Sequence, residues 1–313
     1  MKGSVMHLVT GGGGFIGSHI VRALVQRGDR VRVLENGLTG SRARIRDVLA
    51  DVEWIDGDVR DLDAVQRACR GVEVVFHQAA VPSVSRTIAE PAMTHETNLT
   101  GTLNILVAAR ENSVRRVMFA SSCAIYGDNP VSPKSETLQP RPLSPYAVQK
   151  LAAESYCPVW HTIYGLETVA LRYFNVFGPS QDPKSEYAAV IPRFVVAALS
   201  GTPPTIYGDG EQSRDFVYVG DIVEANLRAA QTPAAAGMIM NVGTGTSATL
   251  NQMLVELSGI IGRRIEPTYA ESRPGDVRES LADISLLRAT LGWAPATSLR
   301  DGLRQAVSAF AES

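Results

Sequence analysis

The chain has 313 residues, with 30 Lys plus Arg against 32 Asp plus Glu and a formal net charge of −2. This balance argues against a protein that binds nucleic acid or an anionic membrane through a basic surface. The three cysteines lie far apart without metal-ligand spacing, which disfavours a metal site or a disulfide framework and favours a reducing compartment. Since no signal-peptide pattern or long uncharged stretch is found, we expect a cytoplasmic protein.

Short apolar runs rich in β-branched residues alternate with longer amphipathic stretches. We predict buried strands at Val5–Val9, Arg30–Leu34, Val52–Ile55, Val72–His77, Arg116–Ser121 and Thr168–Arg172. The clearest predicted helices between or after them are Phe15–Arg27, Met93–Glu111 and Tyr146–Tyr164. This alternation predicts βαβ units and an α/β fold, a doubly wound parallel sheet of the Rossmann type.

A glycine turn follows the first predicted strand. Gly11, Gly14 and Gly17 are spaced three residues apart, where the strand is expected to give way to a helix. Glycine permits positive φ and lets phosphates approach main-chain N–H groups at a helix N-terminus. A glycine run by itself is equally an ordinary flexible loop. Its position between a strand and a helix favours a dinucleotide pyrophosphate site.

The ends of the next three predicted strands carry further candidate cofactor contacts. Glu35 follows the second strand, where a carboxylate accepts hydrogen bonds from an adenosine ribose and repels a 2′-phosphate, which favours NAD over NADP. Asp58 follows the third strand and either contacts adenine or caps the next helix. Ala79 and Ala80 follow the fourth strand, where small residues either let the chain pass beneath the cofactor or simply pack.

The composition of the sequence changes beyond about Asn175, where turns rich in Pro and Gly become frequent. Residues 1–175 are predicted to form the NAD-binding Rossmann domain. Residues 176–313 are predicted to form a smaller, substrate-binding domain. The segment of about 214–242 is expected to return to the first domain, so that the two domains interleave.

Tyr146 and Lys150 are four residues apart and therefore share one face of the predicted helix. A free tyrosine has a pKa near 10 and is a poor base at neutral pH. The ammonium group of Lys150 and a positively charged nicotinamide are expected to lower the pKa of Tyr146. Ser121 and Ser122 end the fifth strand, at the edge where doubly wound sheets bind ligands. One serine hydroxyl there could share a substrate proton with Tyr146, and the residues alone do not choose between the two.

Several motifs follow one another in order along nearly the whole chain: Thr10–Ser18, Ser121-Ser122 with Tyr126-Gly127, Tyr146–Lys150, Leu171–Asn175, Arg214–Phe216 and Arg273–Asp276. Together they resemble the extended short-chain dehydrogenases/reductases, and specifically the UDP-hexose 4-epimerase family (UDP-glucose and UDP-N-acetylglucosamine 4-epimerases). The resemblance implies that Ser122, Tyr146 and Lys150 are catalytic, with Ser121 as the alternative serine. It further implies NAD contacts at Phe15, Ile16, Asn36, Val59, Asn98, Ser121, Tyr146, Lys150, Tyr173 and Val176.

The same resemblance implies a UDP-sugar substrate. Besides Ser122 and Tyr146, the implied substrate contacts are Asn175, Ala189, Val190, Ile206, Tyr207, Arg214, Arg273, Asp276 and Ser280. Arginine suits a diphosphate because its planar guanidinium pairs with two oxygens at once. The alternative for Arg214 and Arg273 is an ordinary ion pair, for instance Arg214 with Asp215 or Asp221.

The implied reaction is NAD-dependent C4 epimerisation through a transient 4-keto sugar, in which the cofactor is not consumed. Related dehydratases and decarboxylases carry acidic residues where this chain has Cys123 and Ala124, which argues against those reactions. Cys123 is interpreted as a packing residue rather than a proton donor. Ser280 stands where hexose-restricted members of the family carry a tyrosine, so we expect room for an N-acetyl group at C2 of the sugar.

Two other functions remain open at this point. A UDP-glucuronate 4-epimerase would share nearly all of these motifs. A non-catalytic NAD sensor or scaffold could use the same fold, although the combination of Ser122, Tyr146 and Lys150 argues against it. Family members commonly dimerise through two helices per subunit, so a homodimer through Met93–Glu111 and Tyr146–Tyr164 is expected.

Overall fold

The computed structural model describes residues 5–183, 190–272 and 277–311. Within this range the chain divides into two compact units, which we call unit 1 and unit 2. Unit 1 takes its residues from 1–125, 142–172 and 223–240, and unit 2 from 126–141, 173–222 and 241–313. The chain therefore passes from one unit to the other several times.

The strands, in chain order, are β1 (Met6–Thr10), β2 (Arg30–Glu35), β3 (Val52–Asp56), β4 (Val74–His77), β5 (Arg116–Ser122), β6 (Glu167–Tyr173), β7 (Asn175–Phe177), β8 (Thr205–Tyr207), β9 (Ser213–Arg214), β10 (Phe216–Tyr218), β11 (Ile239–Val242), β12 (Ala248–Thr249), β13 (Thr268–Ala270) and β14 (Glu279–Ser280). The helices are α1 (Phe15–Gln26), α2 (Leu62–Cys69), α3 (Val84–Ala89), α4 (Pro91–His95), α5 (Gly101–Glu111), α6 (Pro145–Tyr164), α7 (Val190–Ser200), α8 (Val219–Gln231), α9 (Leu250–Ile261), α10 (Ser285–Leu291) and α11 (Leu299–Ala311).

Unit 1 is built on a seven-stranded sheet with the order β11-β6-β5-β4-β1-β2-β3. β1 lies in the middle, parallel to both β2 and β4. All five residues of β1 are buried, as expected for a strand covered by helices on both faces. This architecture confirms the predicted doubly wound, Rossmann-type α/β fold. It also brings the carboxyl ends of β1, β2, β4 and β5 to one edge of the sheet.

The helices of unit 1 cover the sheet with apolar faces that the sequence pattern anticipates. α2 and α5 pack together, and Val65, Ile105 and Leu106 join Leu8 and Val117 of the sheet in one buried cluster. The strand predictions are confirmed to within two residues at each end. The predicted helix over Met93–Glu111 is continuous but not uniformly α-helical, because a π-helical turn at Glu96–Thr100 joins α4 to α5. Turns of this kind are frequent at functional sites.

Unit 2 has a smaller core formed by Phe177, Phe194, Ile206, Leu254 and Leu303 among others. Short strands form three small sheets with the orders β10-β7, β12-β9-β14 and β13-β8. In the second of these, β9 pairs with β12 on one side and with β14 on the other. Throughout the described part of the chain, no helix has the length and apolar character required to cross a membrane.

Candidate active site

The glycine turn begins at the carboxyl end of β1 and leads directly into α1. Gly11 has a φ of +67°, and a Cβ there would lie 2.8 Å from the backbone nitrogen of Ala79. A Cβ on Gly17 would overlap the carbonyl oxygen of Gly11, so the first turn of α1 packs against the glycine turn. In α1, all of which is described, no side chain caps the N-terminus and no acidic residue lies in the first turn. The first N–H groups of α1 are therefore available to an anion such as a pyrophosphate.

Glu35 joins the glycine turn to the loop that follows β2. Its carboxylate accepts hydrogen bonds from the backbone N–H groups of Gly13, at 3.1 Å, and Gly37, at 3.0 Å. Each carboxylate oxygen can accept a second hydrogen bond. Glu35 can therefore order this loop and still accept a bond from a ribose hydroxyl.

Asp58 lies after β3 and is held by two neighbours. Its carboxylate accepts hydrogen bonds from the Arg60 side chain and from the Asn36 amide, the latter at 2.8 Å. Burial opposes its ionisation, but these bonds outweigh burial and lower the pKa of Asp58 to about 2. The residue that caps α2 is Asp61, so the alternative of Asp58 as a helix cap is wrong.

Tyr146 lies in the first turn of α6, where the sequence fixes the start of the helix. Ser144 caps α6 by accepting a hydrogen bond from the Ala147 N–H at 3.2 Å, and Pro145 occupies the first helical position. The Tyr146 N–H donates to Thr87 Oγ1 at 3.2 Å. The tyrosine side chain is hydrogen bonded to Ser122 at the end of β5. The structure thus brings together the two groups predicted to exchange the substrate proton.

The pKa of Tyr146 departs from the sequence expectation. Burial of the hydroxyl raises the pKa of Tyr146 to about 12, although the hydrogen bond to Ser122 lowers it. A lowering by Lys150 is therefore not found in the protein alone, and the contribution expected from a bound nicotinamide stays a prediction. Lys150 donates instead to the Ala120 carbonyl oxygen at 2.7 Å, and its ammonium lies 5.0 Å from the centre of the Phe119 ring. Burial lowers the pKa of Lys150 to about 8.

The two serines at the end of β5 have different partners. The Ser121 hydroxyl donates to Glu154 Oε2 at 2.6 Å. Ser122 is hydrogen bonded to Tyr146, and its oxygen also accepts a bond from the Ala124 N–H at 3.2 Å. Among these two neighbours, only Ser122 is directed to Tyr146, which favours it over Ser121 as the catalytic serine.

Glu154 is a site residue that our sequence reasoning missed. It lies four residues after Lys150, and its side chain is 2% exposed in an ion pair with Arg172 at 2.7 Å. Tyr146, Lys150 and Glu154 thus form one stripe of α6, and their respective partners are Ser122, the Ala120 carbonyl and Ser121. The four-residue spacing from Lys150 could have revealed Glu154. It places Glu154 on the face of α6 that carries Tyr146 and Lys150, and a charge buried on that face requires a partner.

A second polar network that the sequence did not reveal lies beneath the glycine turn. His77 at the end of β4 is hydrogen bonded to Thr10 at 2.7 Å and to Thr102 at 3.0 Å. Burial lowers the pKa of His77 to about 3, with a further lowering by Lys150, so the ring is neutral at physiological pH. Thr10 in turn accepts a bond from the Ala79 N–H at 3.2 Å. The network therefore fixes the backbone that passes beside Gly11.

Asn98, a predicted cofactor contact, lies in the π-helical turn. Its amide bonds both the N–H and the carbonyl of Val81, at 2.7 and 3.1 Å, and donates to Gln149 of α6 at 2.8 Å. Its side chain therefore connects the chain after β4 to α6. The role predicted for Asn98 toward the cofactor stays a prediction.

In unit 2, Arg214 and Ser280 lie on neighbouring strands. β9 and β14 are parallel, and Arg214 and Ser280 are direct partners in their register. The carboxylates proposed as ion-pair partners of Arg214 are engaged elsewhere. Asp215 accepts bonds from Thr244, Gly245 and Ala282, and Asp221 accepts from the N–H groups of Ala296 and Thr297.

The remaining predicted contacts are placed as follows. Phe15 and Ile16 open α1, Val59 is buried after β3, and Tyr173 and Val176 lie in β6 and β7. Asn175 begins β7 and Val190 begins α7. Ile206 is fully buried in the core of unit 2, next to Tyr207 in β8. Ala189, Arg273 and Asp276 lie outside the described residues.

The residues of unit 1 fit an NAD molecule. The uncapped start of α1 suits its pyrophosphate, Glu35 suits its adenosine ribose, and any Cβ at Gly11 or Gly17 would intrude on the turn. Oxidised NAD, when bound, supplies a hydride acceptor and a positive charge. Ser122 is placed to hold the Tyr146 hydroxyl, and Lys150 lies one helical turn further along α6 with its ammonium bonded to the Ala120 carbonyl.

A doubly wound sheet, a glycine turn after its first strand and a Ser-Tyr-Lys group at its carboxyl edge together define a protein of the short-chain dehydrogenase/reductase class. The sequence profile of the NAD dependent epimerase/dehydratase family matches residues 7–243. The chain belongs to this family, which confirms the resemblance and the expected NAD dependence.

Known proteins similar to this chain extend over almost its whole length. A putative UDP-glucose 4-epimerase of Methanocaldococcus jannaschii is 39% identical over 305 residues, which cover 97% of each chain. The structure of a UDP-N-acetylglucosamine 4-epimerase from Methanobrevibacter ruminantium, in complex with UDP-N-acetylmuramic acid, matches with a TM-score of 0.94 and 41% identity, covering 100% of this chain and 99% of that one. A UDP-glucose 4-epimerase from Thermus thermophilus, in complex with NAD, matches with a TM-score of 0.89 and 41% identity, covering 98% of this chain and 99% of that one.

Proposed function

We propose that this protein is an NAD-dependent UDP-sugar 4-epimerase, an isomerase, with Ser122, Tyr146 and Lys150 as its catalytic residues. The observation that carries the proposal is the pairing of the Ser122 and Tyr146 side chains at the edge of a sheet whose glycine turn fits NAD. The similar proteins, named as UDP-glucose and UDP-N-acetylglucosamine 4-epimerases, support the same reaction class.

In this function Tyr146 takes the proton of the sugar C4 hydroxyl, and Ser122 shares that proton through its hydrogen bond. Proton transfer by a positioned side chain contributes roughly 10²–10⁴-fold to a rate. Burial keeps Tyr146 protonated in the protein alone, so its ionisation depends on positive charge brought near it. Lys150 keeps its ammonium on the same helical face while bonded to the Ala120 carbonyl.

The substrate preference that we propose rests on residues of unit 2. Ser280 is a small, partly exposed residue in register with Arg214, the residue proposed to bind the diphosphate. A small side chain at this position leaves room for an N-acetyl group at C2 of the sugar. We therefore propose that the enzyme accepts UDP-GlcNAc and UDP-GalNAc as well as, or better than, UDP-Glc and UDP-Gal.

A panel of UDP-sugars tests this proposal. Turnover of purified protein is measured by separating the epimers of UDP-Glc, UDP-GlcNAc and UDP-glucuronate, without added NAD. Turnover of UDP-GlcNAc supports the proposal, whereas turnover of UDP-glucuronate alone supports a UDP-glucuronate 4-epimerase. A protein that binds NAD but converts none of the three would be the non-catalytic sensor or scaffold.

Substitution at Ser280 tests the preference itself. Ser280→Tyr should lower kcat/KM for UDP-GlcNAc by at least about tenfold, because the ring fills the space proposed for the N-acetyl group. The same variant should retain turnover of UDP-Glc. Ser280→Ala is the matched control, because it keeps the small volume and should leave both values near those of the wild type. Equal losses with both substrates in Ser280→Tyr would contradict the proposed role.

We also propose that the protein forms a homodimer through α5 and α6. On α6, Val148, Val159 and Ile163 lie close to one helical face and are 52%, 43% and 66% exposed. A second copy would cover this apolar stripe, as in a C2-symmetric interface. Light scattering of the wild type and of Val159→Glu tests the assembly, since a dimer should become a monomer in the variant.

A further inference from the structure

One buried carboxylate in unit 2 has no part in the function described so far. Asp215 lies between β9 and β10, and it is 0% exposed. Its carboxylate accepts four hydrogen bonds: from the Thr244 N–H at 2.7 Å, the Thr244 hydroxyl at 2.8 Å, the Gly245 N–H at 3.0 Å and the Ala282 N–H at 3.2 Å. All four donors are neutral, and they come from two separate segments of the chain.

The main chain of Asp215 contacts the residues that we propose to bind the substrate. Its N–H donates to the Ser280 carbonyl at 2.7 Å. Its own carbonyl accepts bonds from the backbone N–H of Asn175 at 3.0 Å and from the Asn175 amide at 3.3 Å. Arg214 is its immediate neighbour and the register partner of Ser280. Asp215 is thus bonded to, or adjacent to, three proposed substrate contacts.

The surroundings of this carboxylate are closely packed. A Cβ on Gly243 would lie 2.7 Å from Asp215 Oδ2 and 2.7 Å from the Ala282 Cβ. Burial raises the pKa of Asp215, so placing a charge here has a free-energy cost that the four bonds must offset. A side chain that served only to fill this space could be apolar, and its burial would not carry the free-energy cost of a buried charge. The bonds to Thr244, Gly245 and Ala282 therefore indicate a requirement for defined placement of these segments.

We propose that Asp215 is a positioning residue of the sugar-nucleotide site, which fixes β9 against β14 so that Arg214 and Ser280 keep their register. The carboxylate holds Ala282, two residues after Ser280, while the Asp215 N–H holds Ser280 itself. Loss of the carboxylate bonds frees the chain beyond β14 and changes the separation of the two side chains. This inference rests on the proposed function only in assigning Arg214 and Ser280 to the substrate.

Asp215→Asn tests the inference with almost no change in volume. Whichever oxygen the NH2 group replaces, it faces at least one backbone N–H that then loses its acceptor. The dissociation constant of UDP, measured by calorimetry, should rise at least about tenfold. KM for the UDP-sugar that the wild type converts should rise similarly, whereas kcat at saturation should change much less. The NAD content of the purified protein should stay at the wild-type level.

Asp221→Asn is the matched control. Asp221 is also a buried aspartate of unit 2, and it accepts bonds from the N–H groups of Ala296 and Thr297 at 3.4 and 3.1 Å. This variant should lose thermal stability and retain the wild-type dissociation constant of UDP. An equal weakening of UDP binding in both variants would show a merely structural role and overturn the inference. Wild-type UDP affinity in a folded Asp215→Asn would also overturn it.

Thr244→Val provides a milder variant should Asp215→Asn fail to fold. It removes the hydroxyl donor and keeps the three backbone donors, so the UDP dissociation constant should rise about two- to tenfold. An unchanged constant would overturn the inference. UDP binding requires no turnover, so the two proposals can fail separately. A wild type that converts no UDP-sugar refutes the epimerase, while weaker UDP binding in Asp215→Asn would still support the positioning role.

Discussion

Glu154 in unit 1 and Asp215 in unit 2 are buried carboxylates beside residues that we propose to be functional, but the two are stabilised differently. Glu154 in unit 1 pairs with the guanidinium of Arg172 at 2.7 and 3.0 Å and accepts a third bond from Ser121. Asp215 in unit 2 accepts its four bonds from neutral groups, three of which are backbone N–H groups. The first arrangement joins side chains, whereas the second fixes main chain.

The difference corresponds to what each carboxylate holds. Glu154 continues the helical face of Tyr146 and Lys150, so its bonds to Ser121 and Arg172 set the position of α6 against β5 and β6. Asp215 instead sets the register of two short strands that have few bonds of their own. Substitutions that break these bonds in unit 1 should therefore lower kcat and the free energy of unfolding. Substitutions that break them in unit 2 should weaken substrate binding.

Tyr146→Phe should give the largest effect on turnover. It removes the proton-transferring hydroxyl and leaves the ring, so kcat should fall roughly 10²–10⁴-fold or more, with NAD content and UDP affinity unchanged. The measurement is kcat and the UDP dissociation constant of the same preparation. Asp215→Asn should give the opposite pattern, with UDP affinity lost and kcat largely kept.

Tyr156→Phe is the matched control for this variant. Tyr156 lies on the same helix, and the centroid of its ring is 5.2 Å from that of the Trp160 ring. Its substitution should leave kcat near the wild-type value. Substantial turnover in Tyr146→Phe would contradict the role that we assign to its hydroxyl.

Glu154→Gln should give the largest loss of stability. The variant removes the negative charge that Glu154 pairs with the Arg172 guanidinium, whose side chain is 5% exposed. Removal of one partner of a buried ion pair costs about 3–5 kcal/mol. Urea unfolding should show a loss of this order. Asp215→Asn, which leaves only neutral donors without acceptors, should lose about 1–3 kcal/mol.

A double variant separates stability from positioning in unit 1. Glu154→Leu combined with Arg172→Met removes both charges and retains apolar volume, so most of the stability should return. Turnover should not return, because the bond that holds Ser121, the neighbour of Ser122, against α6 is still missing. Recovery of both stability and turnover would show that the ion pair has no positioning role.

Much of unit 1 could be predicted from the sequence because its signals are local. A continuous apolar run followed by glycines identifies β1 and the turn, and the spacing of Tyr146 and Lys150 identifies their shared face. The π-helical turn at Glu96–Thr100 was missed because it changes the helical period by only one residue within an otherwise continuous helix. The family and its cofactor followed from several local motifs in a fixed order.

The supporting residues could not be predicted because their partners are remote in sequence. Glu154 was visible only as a charge on a helix, and its partners Ser121 and Arg172 lie 33 and 18 residues away. Asp215 was considered as an ion-pair partner of Arg214, whereas its bonds go to Thr244, Gly245 and Ala282. The burial that raises the pKa of Tyr146 in the protein alone could not be predicted either, because it depends on the whole fold.

The smallest expected effect is a difference between the two units in how one buried lysine makes the free energy of unfolding depend on pH. Burial lowers the pKa of Lys150 from 10.5 to about 8. Between these values the unfolded chain binds a proton that the folded chain does not, so the free energy of unfolding rises with pH. The difference in this free energy between wild type and Lys150→Met should therefore increase from pH 8 to pH 10.5, by on the order of 1 kcal/mol per pH unit, and stay flat below pH 8.

Lys134 of unit 2 is the comparison for this last measurement. Its ammonium donates to the carbonyls of Asn129 and Val131, and burial lowers its pKa while Glu279 partly opposes that shift. Because Glu279 favours the charged form, the wild type and Lys134→Met should differ less in their pH dependence than the Lys150 pair. Urea unfolding at several pH values between about 7 and 11 measures both differences, and groups common to each pair cancel. An equal pH dependence for the two lysines would mean that Lys150, which we propose to be catalytic, is buried no more deeply than Lys134.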